Sequence, residues 1–150
     1  MTEADARVER RAGSQKAILQ LVEHRTEMLS LYGEMASHRP FKESTDLLTL
    51  LQRFCQALVD YTADAHFRLY RYIENNTERR ANVASMANKI YPVITQSTQR
   101  ILDFNDRYDT PEHCSESLSS LESDLSRLGE LLADRIENED RLIEAMRSSR

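Results

Sequence analysis

Glycine and proline are scarce, with three of each in 150 residues. So little turn material does not serve the many tight turns of a sheet protein, and the chain reads as all-α. Cysteine is nearly absent: Cys55 and Cys114 are far apart, with no Cys-x-x-Cys spacing. The expectation is a pair of reduced thiols in a cytoplasmic protein. No run approaches the roughly 18 apolar residues of a membrane-spanning helix. The stretch from Met1 to Arg11 is polar and lacks the apolar core of a signal peptide. A basic surplus is also missing, since the formal net charge is −5. That argues against direct nucleic-acid binding and suits a protein partner that is itself basic. No phosphate-cradling Gly-rich loop exists, because the glycines stand apart.

What is present is charge and helical periodicity. Charged residues make up 30% and hydrophobic residues 40%, the balance of a soluble globular protein. The length suits one domain with a real core. Residues 1–8 are charged and aperiodic and are expected to fray, as are 147–150. The first helix then runs to about Ala36, on a seam of Ile18, Leu21, Arg25, Met28, Tyr32 and Met35. Pro40 marks the first connection, and Ser44 or Thr45 can cap the second helix. That helix should run to about Glu74, with a break at Asn75-Asn76-Thr77. A third helical region follows from about Glu78 to Arg107, on a seam of Ile94, Thr98, Ile101 and Asn105. Pro92 lies inside it and predicts a kink or break near Lys89 to Tyr91. Thr110-Pro111 spells a new helix start, with Thr110 as N-cap. The last helix carries the clearest repeat: Leu118, Leu121, Leu125, Leu128, Leu132, Ile136, Glu139, Ile143 and Met146. Four long helices with short connections predict an antiparallel up-down four-helix bundle, and a monomer.

The stretch from Phe54 to Ile73 organises the rest. It has no Gly and no Pro, and Phe54, Leu58, Tyr61, Ala65, Leu69 and Tyr72 form one apolar stripe. Asp60, Ala63 and Phe67 fall opposite that stripe, Arg71 extends their line, and Asp64 flanks it. A Phe on the outward face of a charged helix is either an isolated surface residue or an aromatic anchor for a partner.

Three segments resemble the Rsd/AlgQ family, the bacterial regulators of sigma D. The first is Phe54-Cys55-x-x-Leu58-Val59-Asp60-Tyr61-x-x-x-x-His66-Phe67-x-x-Tyr70. The second runs from Lys89-Ile90-Tyr91-Pro92 to Phe104-Asn105-Asp106-Arg107, and the third is Glu137-Asn138-Glu139-Asp140-Arg141-Leu142-Ile143-Glu144. The resemblance spans roughly residues 9 to 146. It implies a cytoplasmic anti-sigma factor of stationary phase, with no catalytic activity and no cofactor. Its partner would be the C-terminal, promoter −35-recognising region of the primary, sigma-70-type factor, kept from promoter DNA and core RNA polymerase. Further regulatory proteins are possible partners of the family. Its sigma-binding positions fall on Asp60, Ala63 and Phe67. Ala63 replaces the family's usual Ser, and Ala65 and Arg71 replace its usual Gly and Glu. Leu21 stands where the family has Trp. These departures bear on affinity and packing more than on the mode of binding.

The rival reading is a metal- or cofactor-binding bundle. Carboxylate di-iron bundles need Glu-x-x-His pairs, and no Glu precedes His24, His38, His66 or His113 by three residues. Metal ligands are therefore not assigned. Cys55 and Cys114 lack the surroundings of a nucleophile and read as packed residues. Arg25 and Glu139 each interrupt an apolar seam, and His66 lies at the edge of the second helix's stripe. A buried structural cluster of Arg25, His66 and Glu139 is the expectation, because charges in apolar seams need one another.

Overall fold

The computed structural model describes residues 2–70 and 81–148. Within them the protein is all-helical, with five α-helices and no strand. These are α1 (Glu3–Ala36), α2 (Thr45–Ala65), α3 (Ala81–Tyr108), α4 (Pro111–Ser117) and α5 (Leu121–Ser148). A π-helical turn, His66–Tyr70, continues α2, and a 3-10 turn, Leu118–Ser120, joins α4 to α5. No helix among the described residues is long and apolar enough to cross a membrane.

Side-chain caps set the starts. The Ser44 hydroxyl accepts from the Leu47 amide at 3.1 Å, and the Thr110 hydroxyl accepts from the His113 amide at 3.1 Å, with Pro111 opening α4. The first helix begins earlier than its periodicity predicts. Thr2 and Asp5 form a reciprocal capping box, so α1 starts at Glu3 and not near residue 9. The helix also persists at the other end of the chain, to Ser148. Pro92 does not break α3, which runs unbroken from Ala81 to Tyr108. Pro92 and Asn88 are both exposed, so water can meet the Asn88 carbonyl that loses its donor. The predicted break at Asn75-Asn76-Thr77 lies outside the described residues.

The helices bury the stripes that the sequence lays down. Phe54, Leu58, Tyr61, Ala65 and Leu69 are all buried on α2, while Tyr72 lies outside the described residues. Each large apolar side chain so buried contributes about 1.5–3 kcal/mol. Aromatic rings carry the core across three helices: Tyr32 meets Phe54 at 6.0 Å, and Phe54 meets Phe104 at 5.9 Å. On α3 Ile94 and Ile101 are buried as the seam predicts, while Thr98 and Asn105 are only half-buried and Ser97, Phe104 and Tyr108 are buried beside them. α3 and α5 run in opposite directions, since Asn82 donates to the Ala145 carbonyl at one end and Arg107 pairs with Asp124 at the other. α1 and α5 are likewise opposed: Arg25 reaches Asp140, and Tyr32 donates to the Leu125 carbonyl. Where α1 passes α5, a Cβ at Gly129 would run into the Tyr32 hydroxyl, so any larger residue there forces that ring to shift.

Candidate partner-binding face and the polar core beneath it

α2 and its π-helical turn show two chemistries on two sides. Outward, Asp60, Ala63 and Phe67 are all exposed. The Asp60 carboxylate accepts a hydrogen bond from the Gln56 amide one turn earlier, at 2.9 Å. Phe67 is 59% exposed, and the His66 ring meets it edge-on at a centroid distance of 5.7 Å. Asp64 is half-buried and pairs through one oxygen with Arg68; its other oxygen is buried with no hydrogen-bond partner among the described residues. Arg71 lies outside the described residues.

Between α2 and α3 a groove of about 460 Å³ opens beside this face. Ala63 and Phe67 stand on its α2 side, Tyr91 and Leu102 on its α3 side, and Arg135 lines it from α5. Leu102 is 43% exposed, so the apolar surface continues from Phe67 across to α3. Inspection of one helix at a time does not find this second wall, because Leu102 becomes a neighbour of Phe67 only when the helices pack.

Inward, the same segment delivers hydroxyls to a buried carboxylate. Glu139 is fully buried, and its Oε2 accepts from Tyr61 at 2.9 Å and from Tyr70 at 2.8 Å. Its Oε1 accepts from Arg25 at 3.3 Å, while Arg25 also holds Asp140 at 2.7 Å nearer the solvent. Arg25 and Glu139 thus meet. His66 does not belong with them: it is exposed on the π-helical turn. Its predicted place is taken by Arg135, only 1% exposed, which the apolar reading of the α5 seam passes over. Arg135 donates to the Tyr61 hydroxyl, the Ile94 carbonyl, Ser97 and Thr98, and lies over the rings of Tyr61 and Tyr70. Its Nε is 4.0 Å from Glu139, so the closest partners of this cation are neutral.

Desolvation therefore governs the carboxyl. It raises the Glu139 pKa above the ordinary 4.5, against the lowering by Arg135, the two tyrosines and Arg25. Burial likewise raises both Tyr61 and Tyr70, which remain hydroxyl donors. The cysteines are no more reactive. Cys55 and Cys114 are buried and both thiols donate to the Tyr108 carbonyl, at 3.7 and 3.0 Å. Burial pushes the Cys55 thiol up to about 12 and raises Cys114 as well, the opposite of an activated thiolate. Among the described residues, no three His, Cys, Asp or Glu side chains gather as a metal ion would need.

The described helices thus carry an exposed aromatic ring, Phe67, outside and a Tyr-Tyr-Glu-Arg lattice inside. The model described as "Regulator of RNA polymerase sigma(70) subunit, Rsd/AlgQ" matches residues 1–147. The chain belongs to the Rsd/AlgQ family. It is 35% identical over 147 residues to the Regulator of sigma D of Enterobacter sp. (strain 638), covering 95% of this chain and 87% of that one. It is 34% identical over 139 residues to the Regulator of sigma D of Yersinia pseudotuberculosis serotype O:1b (strain IP 31758), covering 91% and 82%. The protein of the same name from Yersinia enterocolitica serotype O:8 is 33% identical over 139 residues, with 91% and 83% covered. No solved structure matches the chain. The Rsd/AlgQ segments quoted from the sequence thus supply both sides of α2: Phe67 on its surface, and Tyr61 with Glu139 within.

Proposed function

We propose that this Rsd/AlgQ chain is an anti-sigma factor. It binds the C-terminal, −35-recognising region of the primary sigma factor and keeps it from promoter DNA and core RNA polymerase. The observation that carries the reading is Phe67, exposed beside Asp60 and Ala63 on a helix whose other described aromatic residues are buried and whose leucines and valine are buried or half-buried. An aromatic anchor flanked by a carboxylate suits a basic, helical partner, and the net charge of −5 favours such an encounter. Asp64 and Arg71 stand at the edge of the same surface in this reading. The scaffold is a single-domain, monomeric, antiparallel up-down four-helix bundle, and it works in the cytoplasm. Inhibition requires occupancy and no chemistry, so no catalytic residue or cofactor is assigned. The inner lattice of Arg25, Arg135, Glu139, Tyr61 and Tyr70 holds the helix that displays the anchor.

The test is sigma affinity against folding. Phe67→Ala should weaken binding by about 2 kcal/mol or more, roughly thirtyfold, while the melting temperature holds, because no core cavity forms. Asp60→Ala should weaken binding mainly at low salt. A Phe67→Ala protein that melts normally and binds sigma as the wild type does would overturn the proposal.

A further inference from the structure

We propose that the cleft between α3 and α5, away from the α2 face, is a binding site for a small organic phosphate of the nucleotide class. The cleft has a volume of about 520 Å³, within the roughly 300–1,000 Å³ of small-molecule sites. Three guanidiniums line it, those of Arg100, Arg107 and Arg127, in a chain whose net charge is −5. Two carboxylates share the walls, and both already hold donors. One Asp124 oxygen accepts from Arg107 and from the Tyr108 hydroxyl, each at 2.6 Å. Asp103 accepts from the Gln99 amide at 3.0 Å.

Arg100 and Arg127 differ from Arg107. Both are exposed, one on each wall, and no acceptor among the described residues meets either guanidinium. Two such forks converging on one cleft match the oxygens of a phosphate, which a guanidinium can hold bidentately. The cleft also has an apolar side: Phe104 and Leu128 are buried and Leu131 half-buried. What apolar surface remains open to the cleft, chiefly at Leu131, an inorganic ion would leave uncovered and a flat base would cover. Asp103 is then placed to accept a hydroxyl of the sugar.

Titration of the whole chain with adenosine diphosphate and with pyrophosphate, by calorimetry and by amide chemical shifts, tests this. We expect saturable binding of both, tighter for the diphosphate nucleotide, with shifts concentrated on α3 and α5. The double variant Arg100→Gln/Arg127→Gln alters exposed side chains only and should stay folded by circular dichroism. It should bind the nucleotide about tenfold more weakly or worse, a loss of about 1.4 kcal/mol. No saturable binding at millimolar ligand, or an unchanged affinity in the folded double variant, would overturn the site. Equal affinity for both probes would overturn the role of the apolar side. Phe67→Ala should leave nucleotide binding as it is, so this outcome is read independently of sigma binding.

Discussion

Replacing Glu139 with Leu removes the acceptor on which two helices converge. The Tyr61 and Tyr70 hydroxyls both point at Oε2 from fully buried rings, so both would lose their acceptor where water does not enter. An orphaned buried polar group costs about 1–3 kcal/mol. Arg25 would lose less, because its 2.7 Å contact with Asp140 remains at an exposed rim. Arg135 keeps its neutral partners Ser97 and Thr98. Leucine returns some apolar contact, yet breaking a buried charged group from its partners typically costs about 3–5 kcal/mol. Urea unfolding at neutral pH should show a loss of that size, and melting should fall on the order of 10 °C. Glu139→Gln keeps the shape and one acceptor and does not titrate near neutral pH. The raised pKa of Glu139 means that its titration favours the folded state fully below the ordinary value of 4.5. That contribution is lost as pH rises through the folded-state pKa. Wild-type stability measured against Glu139→Gln should therefore decline with rising pH above about 4.5. A loss below about 1 kcal/mol for Glu139→Leu, or a stability difference from Glu139→Gln that grows with pH, would refute this account of the lattice.

Gly129→Ala should destabilise by about 1–3 kcal/mol, because the new methyl meets the Tyr32 ring; pairing it with Tyr32→Leu should restore part of the loss in a thermal melt. Cys55 and Cys114 should resist thiol reagents in the native protein and label fully only in denaturant, and Ser at either position should leave sigma binding intact. His113 lies 2.8 Å from the Asp109 carboxylate, and its NMR titration midpoint should lie above 6.5 and fall towards it in Asp109→Asn.

The helices and most of their buried stripes were legible in the sequence because caps and a 3-4 apolar repeat are local signals. Ser44, Thr110 and Pro111 mark starts that the structure uses. What escaped depends on tertiary context or on departures from regular winding. A strict alternation from Leu128 and Leu132 lands on Arg135 and Leu142, both buried; favouring the apolar Ile136 hid the cation. Tyr70 closes the first family segment, yet the apolar stripe leaves it out, because it follows Ala65 by five residues, a π-helical step that a 3.6-residue period does not see. His66 was placed inside by the same regular wheel, and the structure leaves it exposed. The outward set Asp60, Ala63 and Phe67 is legible from the wheel alone, but the α3 wall of the groove is not, since Leu102 joins Phe67 only through packing. Pro92 looked like an interruption because the sequence does not show that its lost donor faces solvent.

The π-helical turn also bears on how this chain tolerates gain and loss of residues. In an ordinary helix, positions three apart lie roughly 60° apart around the axis, so Phe67 and Tyr70 would point in neighbouring directions. Here Phe67 is exposed and Tyr70 buried, because the wider winding has room for one residue more. Deleting one residue from His66–Tyr70 would let the segment relax to regular α-winding, losing the extra position and changing the angle between the phenylalanine and the tyrosine. The length of this segment, and not only its side chains, therefore sets how Phe67 and Tyr70 face.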